Sequence, residues 1–223
     1  MSRKALLITL SYFTAALVAA SPAVANPPVL SWQRGSEGST FQEWSFGTNN
    51  ATPSPDDSFN PYATDNNPVL LHVDTDHDWY ESIDLGQGVW ALSGEIDLVI
   101  PNRPQQNPYK EILLHLVWKP ELNQPTGAPF DKDPFLPDSP LVAVAPFSDM
   151  EMTVNDVLDL NGWYHSTYEI TIWPNPAKEW FTIKGNILVD SLSVDTICVP
   201  EPATIAFLTA GGLYTLLSGR RKN

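Results

Sequence analysis

From Val89 to Ile100 the chain alternates: Trp90, Leu92, Ile96, Leu98 and Ile100 fall on one face, while Ser93, Glu95 and Asp97 fall on the other. Tyr164 to Trp173 repeats the pattern, with Tyr164, Tyr168, Ile170 and Ile172 opposed to His165, Thr167, Glu169 and Thr171. A period of two is the spacing of a strand with one buried and one solvated face, so both stretches predict antiparallel strands. No long stretch of the middle of the chain keeps a helical period. Ile112–Trp118 is apolar on both faces and predicts a central strand covered on both sides.

Shorter strands are expected at 40–46, 69–73, 79–85, 141–146, 152–158, 179–184 and 187–196. The stretch 152–160 also fits a short helix, since Val154, Val157 and Leu158 suit that spacing. Two proline-rich stretches, 49–68 and 119–140, are expected as long loops, because proline lacks the donor that a sheet interior requires. About ten short strands with turns between them predict an all-β fold, an antiparallel β-sandwich of jelly-roll type. One domain, residues 26–199, is expected, a length sufficient for a substantial core. The single cysteine, Cys198, allows no intrachain disulfide, so packing must stabilise the fold, with eight tryptophans to supply it. The same thiol is a candidate for intermolecular pairing.

The two ends have a different composition. Arg3 and Lys4 precede an uncharged apolar run from Ala5 to Ala20, and Ala23-Val24-Ala25 forms a small-x-small cleavage site. This is the order of a secretory signal peptide over residues 1–25; a retained N-terminal anchor is the alternative. At the other end, Val199-Pro200-Glu201-Pro202 makes an extended break. Ala203 to Gly219 then runs without a charge and ends in Arg220, Arg221 and Lys222. As a helix these residues would rise about 25 Å, near the minimum for crossing a bilayer, with the basic end on the cytoplasmic side.

Five of the 12 basic residues lie in these ends, against one of the 26 acidic ones. Residues 26–199 therefore carry seven bases and 25 acids, a formal charge near −18. Such a surface repels phosphate backbones, so nucleic acid is not an expected partner. It suits a solvated extracellular surface, a cation binder or a protein that meets neutral glycans.

Pro200-Glu201-Pro202, the small-residue-rich helix after it and Arg220-Arg221-Lys222 together resemble the PEP-CTERM sorting signal of exported bacterial proteins, here over residues 200–223. The resemblance implies export by the general secretory machinery and a transient stay in the inner membrane as a transmembrane helix. It implies processing at Pro-Glu-Pro by an exosortase, then release to the cell surface or extracellular matrix. Bacteria with such proteins make exopolysaccharide and form biofilms. The same segment also suits a permanent single-span anchor. In the remainder, Trp32-Gln33-Arg34-Gly35, the stretch Thr40 to Phe46 and Asn60-Pro61-Tyr62 resemble the start of uncharacterised sandwich domains in such proteins.

Asp74, Asp76 and Asp78 alternate over one short stretch, a spacing that can wrap a calcium ion in oxygen ligands. The stretch lacks the glycine and glutamate of an EF-hand loop, and it reads equally as an acidic hairpin turn between strands 69–73 and 79–85. Asp131, Asp133 and Asp138 form a weaker cation candidate. The four histidines have no metal-ligand spacing, and no Gly-x-Ser-x-Gly elbow occurs. Glu95 and Asp97, with Glu169 across from them, are the carboxylates a glycosidase would require. Sugars stack on exposed aromatic rings, which makes Trp44, Trp79 and Trp163 glycan-binding candidates, with Trp173 and Trp180 behind them. The sequence thus predicts an exported, non-enzymatic structural or adhesive protein that binds extracellular polysaccharide, with a structural calcium as the one cofactor considered. A carbohydrate-active hydrolase on the same fold is the alternative.

Overall fold

The computed structural model describes residues 32–74, 78–83, 86–104, 108–120, 136–145 and 149–199. Their strands are β1 (Ser39–Trp44), β2 (Asp57–Phe59), β3 (Leu70–Val73), β4 (Asp78–Ile83), β5 (Gly86–Pro101), β6 (Tyr109–Pro120), β7 (Leu141–Ala145), β8 (Asp149–Leu158), β9 (Tyr164–Trp173) and β10 (Lys178–Val199). No helix occurs among the described residues, so none there is long and apolar enough to cross a membrane. The expected signal peptide and sorting tail, with Ala23, Ala25, Pro200, Glu201, Pro202, Arg220, Arg221 and Lys222, lie outside them.

Every pairing is antiparallel, and the ten strands form one open sheet organised by β10. The first half of β10 lies between β5 and β7, and the second half between β1 and β6. β3 and β4 continue the first half beyond β5. The second half extends through β2 on one side and through β9 and β8 on the other.

The change of partners occurs at a bulge. Val189 faces Trp118 and Ser191 faces Val117, which leaves Asp190 as the extra residue. One inserted residue reverses the parity of a strand and bends it. In β10 this keeps the apolar side facing inward: Phe181, Ile183, Ile187 and Val189 lead into the core before the bulge, and Leu192 and Val194 after it. Trp90, Leu92, Ile96, Leu98 and Ile100 of β5, and Tyr168, Ile170 and Ile172 of β9, join the same cluster, as their alternation predicts. β6 is central, between β10 and β9, with Ile112, Leu114, Leu116 and Trp118 in that core. Its other face is less covered, since His115 and Val117 are only half-buried.

Several expectations differ from what forms. Stretches 179–184 and 187–196 are one strand, because β5 pairs continuously with Lys178 through Val189, across Gly185 and Asn186. Residues 149–158 form a strand, not a short helix, and β8 is an edge with all ten residues exposed. The first proline-rich stretch contains β2, paired to β1. β3 and β4 do not pair with each other: both lie along the same edge of β5, β3 beside Ile96–Val99 and β4 beside Gly86–Ala91. The strands on either side of the acidic stretch therefore do not form a hairpin with each other.

Candidate functional site

The outer face of β1, β10 and β6 carries two adjacent rows of side chains: Glu43, Ser193 and His115 in one, Phe41, Asp195 and Leu113 in the next. Alternation places them here, because their neighbours Trp44, Leu192, Val194, Leu114 and Leu116 fill the core. Arg34 arrives from the turn before β1, where the Ser36 N–H donates to the Gln33 carbonyl and Gly35 takes a φ of +82°. A left-handed backbone angle of this size is one that glycine adopts without steric cost.

Arg34 organises this face. Its Nε and Nη2 donate to the two Asp195 oxygens at 2.6 and 2.7 Å, and Nη1 donates to Glu43 Oε1. The guanidinium carbon stands 4.6 Å from the centre of the Phe41 ring, which stacks on Phe59. Hydrogen bonding to Asp195 holds the arginine above its ordinary pKa, against the opposing effect of burial. Burial pushes the Asp195 carboxyl up, and the bonds from Arg34 pull it back part of the way. Beside them Asp56 accepts from both the N–H and the hydroxyl of Ser45, at 2.6 and 2.7 Å.

These groups border a cleft of about 590 Å³ that is also lined by Trp44, Ser191, Leu192, Ser193, Leu113 and His115. Its volume suits a small ligand or a short stretch of a longer one. His115 lies 5.8 Å, centre to centre, from His165. Burial first, and the neighbouring imidazole second, push His115 below its ordinary pKa. At neutral pH it is then an uncharged ring with one donor and one acceptor. The cleft thus offers hydroxyls, a neutral imidazole and carboxylate oxygens above apolar Leu113. Glu43 and Asp195 share one arginine, so neither stands as a free acid or base opposite the other.

The residues expected from sequence lie elsewhere, with one exception. Trp44 does line the cleft, but it is 2% exposed and its indole N–H donates to the Pro53 carbonyl, so its ring offers no face for stacking. Trp163 is buried against Val89, Ala91 and Leu188. Trp79 is partly buried against the core, with its indole N–H on the Phe46 carbonyl at 2.9 Å. The exposed indole is Trp180, at 51%, in a row with Leu70, Val99 and Ala145 on the outer face of β3, β5, β10 and β7. Lys178 stands over it at 5.2 Å.

Asp74 is half-buried and its N–H donates to the Glu95 carbonyl. Asp76 lies outside the described residues, as do Asp131 and Asp133, and Asp78 is described only as the first residue of β4. No group of three or more His, Cys, Asp or Glu able to hold a metal occurs among the described residues. Glu95 is paired with Lys184, and Asp97 accepts from Thr182 at 2.9 Å. Glu169 sits on β9 opposite Leu113 and Thr153, away from β5, so the three carboxylates do not form a glycosidase pair. Cys198 is buried and donates to Asn102 Oδ1 at 3.2 Å, which withdraws it from pairing with another molecule.

Sequence reasoning passed over Arg34, Glu43, Asp56, Ser191, Ser193 and Asp195. A signal was present: Ser191, Ser193 and Asp195 are three polar residues on one side of a strand whose other side is Leu192 and Val194. Comparison of the chain with known protein families, with curated proteins and with solved structures gave no match.

Proposed function

We propose that this chain is an exported, non-enzymatic protein of the cell surface or extracellular matrix that binds a neutral glycan in the Arg34–His115 cleft. The observation that carries the reading is the composition of that cleft. It is polar and concave, and Arg34, the single Lys or Arg in its lining among the described residues, is already held by two carboxylates. With Asp56 added, the lining is acidic overall, which disfavours phosphate or uronate ligands. Hydroxyl groups on a neutral sugar match the Ser191 and Ser193 hydroxyls, the uncharged His115 and the carboxylate oxygens, while Leu113 meets the apolar side of a pyranose.

In this reading the finer architecture is a jelly-roll sandwich. Support comes from β10, which belongs to both halves of the sheet, and from inward side chains of both halves in one core. The exosortase-type route rests on the Pro200-Glu201-Pro202 motif and the tail that follows. A second reading, a hydrolase on the same face, is favoured by one observation: Asp195 is pushed up by burial and lies beside Glu43. Release of reducing ends from a polysaccharide by the wild-type chain, absent in Asp195→Asn, would establish it.

The binding test is a glycan array probed with the full chain, with and without calcium. Neutral glycans are expected to bind equally in both conditions, because the cleft carboxylates are engaged by Arg34 and Ser45. Absence of binding to every glycan ends the lectin reading and leaves a structural role. For the route, replacing Pro200-Glu201-Pro202 by alanines is expected to hold the protein in the inner membrane. Normal release of that variant would contradict exosortase sorting.

A further inference from the structure

At one end of the core, away from the cleft, a lysine, a glutamate and two asparagines are buried together. Lys110 and Glu179 are both fully buried, and Asn102 and Asn175 are 3% and 1% exposed. Lys110 Nζ lies 2.5 Å from Glu179 Oε1 and 2.9 Å from Asn102 Oδ1. The same Glu179 oxygen accepts from Asn102 Nδ2 at 2.8 Å. Asn175 Oδ1 and the Pro176 carbonyl also lie within hydrogen-bond reach of Asn102 Nδ2, and Asn102 Oδ1 accepts from Cys198 and from the Arg103 N–H, so the amide is held on both sides. Glu179 Oε2 is buried and has no partner.

A buried ion pair of this kind commonly gains little over an apolar pair of similar size, because both charges lose their water. This arrangement has a second property. One carboxyl oxygen touches both an amine and the nitrogen of a carboxamide, and that amine is in contact with the oxygen of the same carboxamide. These are the three groups of an aminolysis, held in mutual hydrogen-bond contact in a dry site. Burial pushes the Glu179 carboxyl up, which suits it to take a proton from a neighbour, and a free amine is the nucleophile in such a step.

We propose that Lys110 and Asn102 are joined in the folded protein by a side-chain amide bond, formed with Glu179 as the proton carrier. Glu179 takes a proton from the Lys110 ammonium. The amine attacks Asn102 Cγ, and the carbonyl oxygen takes up the electron pair. The tetrahedral centre then collapses: the Nζ–Cγ bond remains and the Cγ–Nδ2 bond breaks. Glu179 returns the proton to the departing nitrogen, and the second amine proton leaves with it, so that ammonium is released and Glu179 ends as it began. No oxidant, nucleotide or metal is required. The bond ties the end of β5 to the start of β6 beneath β10, in a chain whose one cysteine allows no disulfide crosslink within it.

Mass spectrometry of the full chain, denatured and digested with trypsin, tests this. Trypsin cleaves after Arg34 and Lys132, while Pro104 and Pro120 protect Arg103 and Lys119, so Lys110 is the one site open between them. The expected product is the uncut peptide Gly35–Lys132, lighter by one ammonia. In Glu179→Gln, which keeps the size of the side chain, cleavage at Lys110 and the full mass are expected to return. Wild-type peptides ending and beginning at Lys110 and Glu111, at full mass, would overturn the proposal. Loss of ammonia with Lys110 still cleaved would also overturn it, because that is cyclisation of Asn102 alone. The wild-type result decides the matter even if the variant does not fold.

Discussion

Arg34 and Asp195, 161 residues apart in sequence, meet through two parallel N–H···O bonds of 2.6 and 2.7 Å and fix the edge of the cleft. The pair joins the turn before β1 to the outer face of β10. Replacing Arg34 by alanine leaves Asp195, whose side chain is 5% exposed, beside Glu43 with no cation between them. The expected loss is about 2 kcal/mol, in the range for hydrogen bonds to charged groups. It falls short of a fully buried pair because Arg34 is 35% exposed and partly screened. Arg34→Lys should recover only part of it, since an ammonium cannot make the two-pronged contact. Urea unfolding of the three proteins checks this.

The same carboxyl makes a pH prediction. Asp195 titrates above its ordinary value of 3.8 in the folded chain, chiefly through burial. The folded state therefore holds this proton more tightly than the unfolded state. Its contribution to stability is fully present below 3.8 and is lost as pH rises through the folded pKa. The difference in unfolding free energy between wild type and Asp195→Asn is expected to shift against the wild type across that window. A difference that stays flat with pH, or moves the other way, would contradict the assignment.

Gly88 in β5 has a φ of +76°, and a Cβ there would sit 2.2 Å from the Phe46 carbonyl oxygen. That oxygen also accepts from the Trp79 indole at 2.9 Å, so it cannot move away without breaking a second contact. Gly88→Ala is expected to cost about 3 kcal/mol or more, from the clash together with the backbone strain. Gly35→Ala keeps open space around its Cβ and should cost about 1–2 kcal/mol from strain alone. Thermal melts of the two variants, side by side, separate the terms.

Asp190 sets the parity of β10. Deleting it would turn Leu192 and Val194 outward and Ser191, Ser193 and Asp195 inward, relative to β6. The deletion is expected to abolish cooperative unfolding, read by tryptophan fluorescence. Asp190→Ala keeps the residue count and should stay within about 1 kcal/mol of wild type. A deletion variant that unfolds cooperatively with wild-type stability would show that the bulge does not hold the register.

The faces of β5 and β9 were legible because one side of each strand enters a core and the other does not, and alternation records that difference directly. The sequence divides β10 in two because Gly185 and Asn186 interrupt its apolar pattern, whereas its continuity comes from pairing with β5. The cleft was not legible for a related reason. Glu43 and Asp195 come together through register and Arg34 reaches them from the turn before β1, and each looks like an ordinary solvated residue in its own segment. The tryptophans illustrate both cases. Trp180 alternates with Phe181 and Ile183 in a way that places it outward, so its exposure could have been read from the sequence. The burial of Trp163, just before β9, depends on Leu188, Val89 and Ala91, which reach it from β10 and β5.

The most direct test of the account is equilibrium binding of a neutral oligosaccharide series to the full chain and to two variants. Ser193→Trp fills the cleft, and Trp180→Ala removes the exposed indole on the other half of the sheet. The account predicts that Ser193→Trp weakens binding at least about tenfold, a loss of about 1.4 kcal/mol, while Trp180→Ala leaves it unchanged. The reverse result, with affinity lost in Trp180→Ala and kept in Ser193→Trp, would place the glycan on the β5–β10 face and contradict the cleft as the binding site.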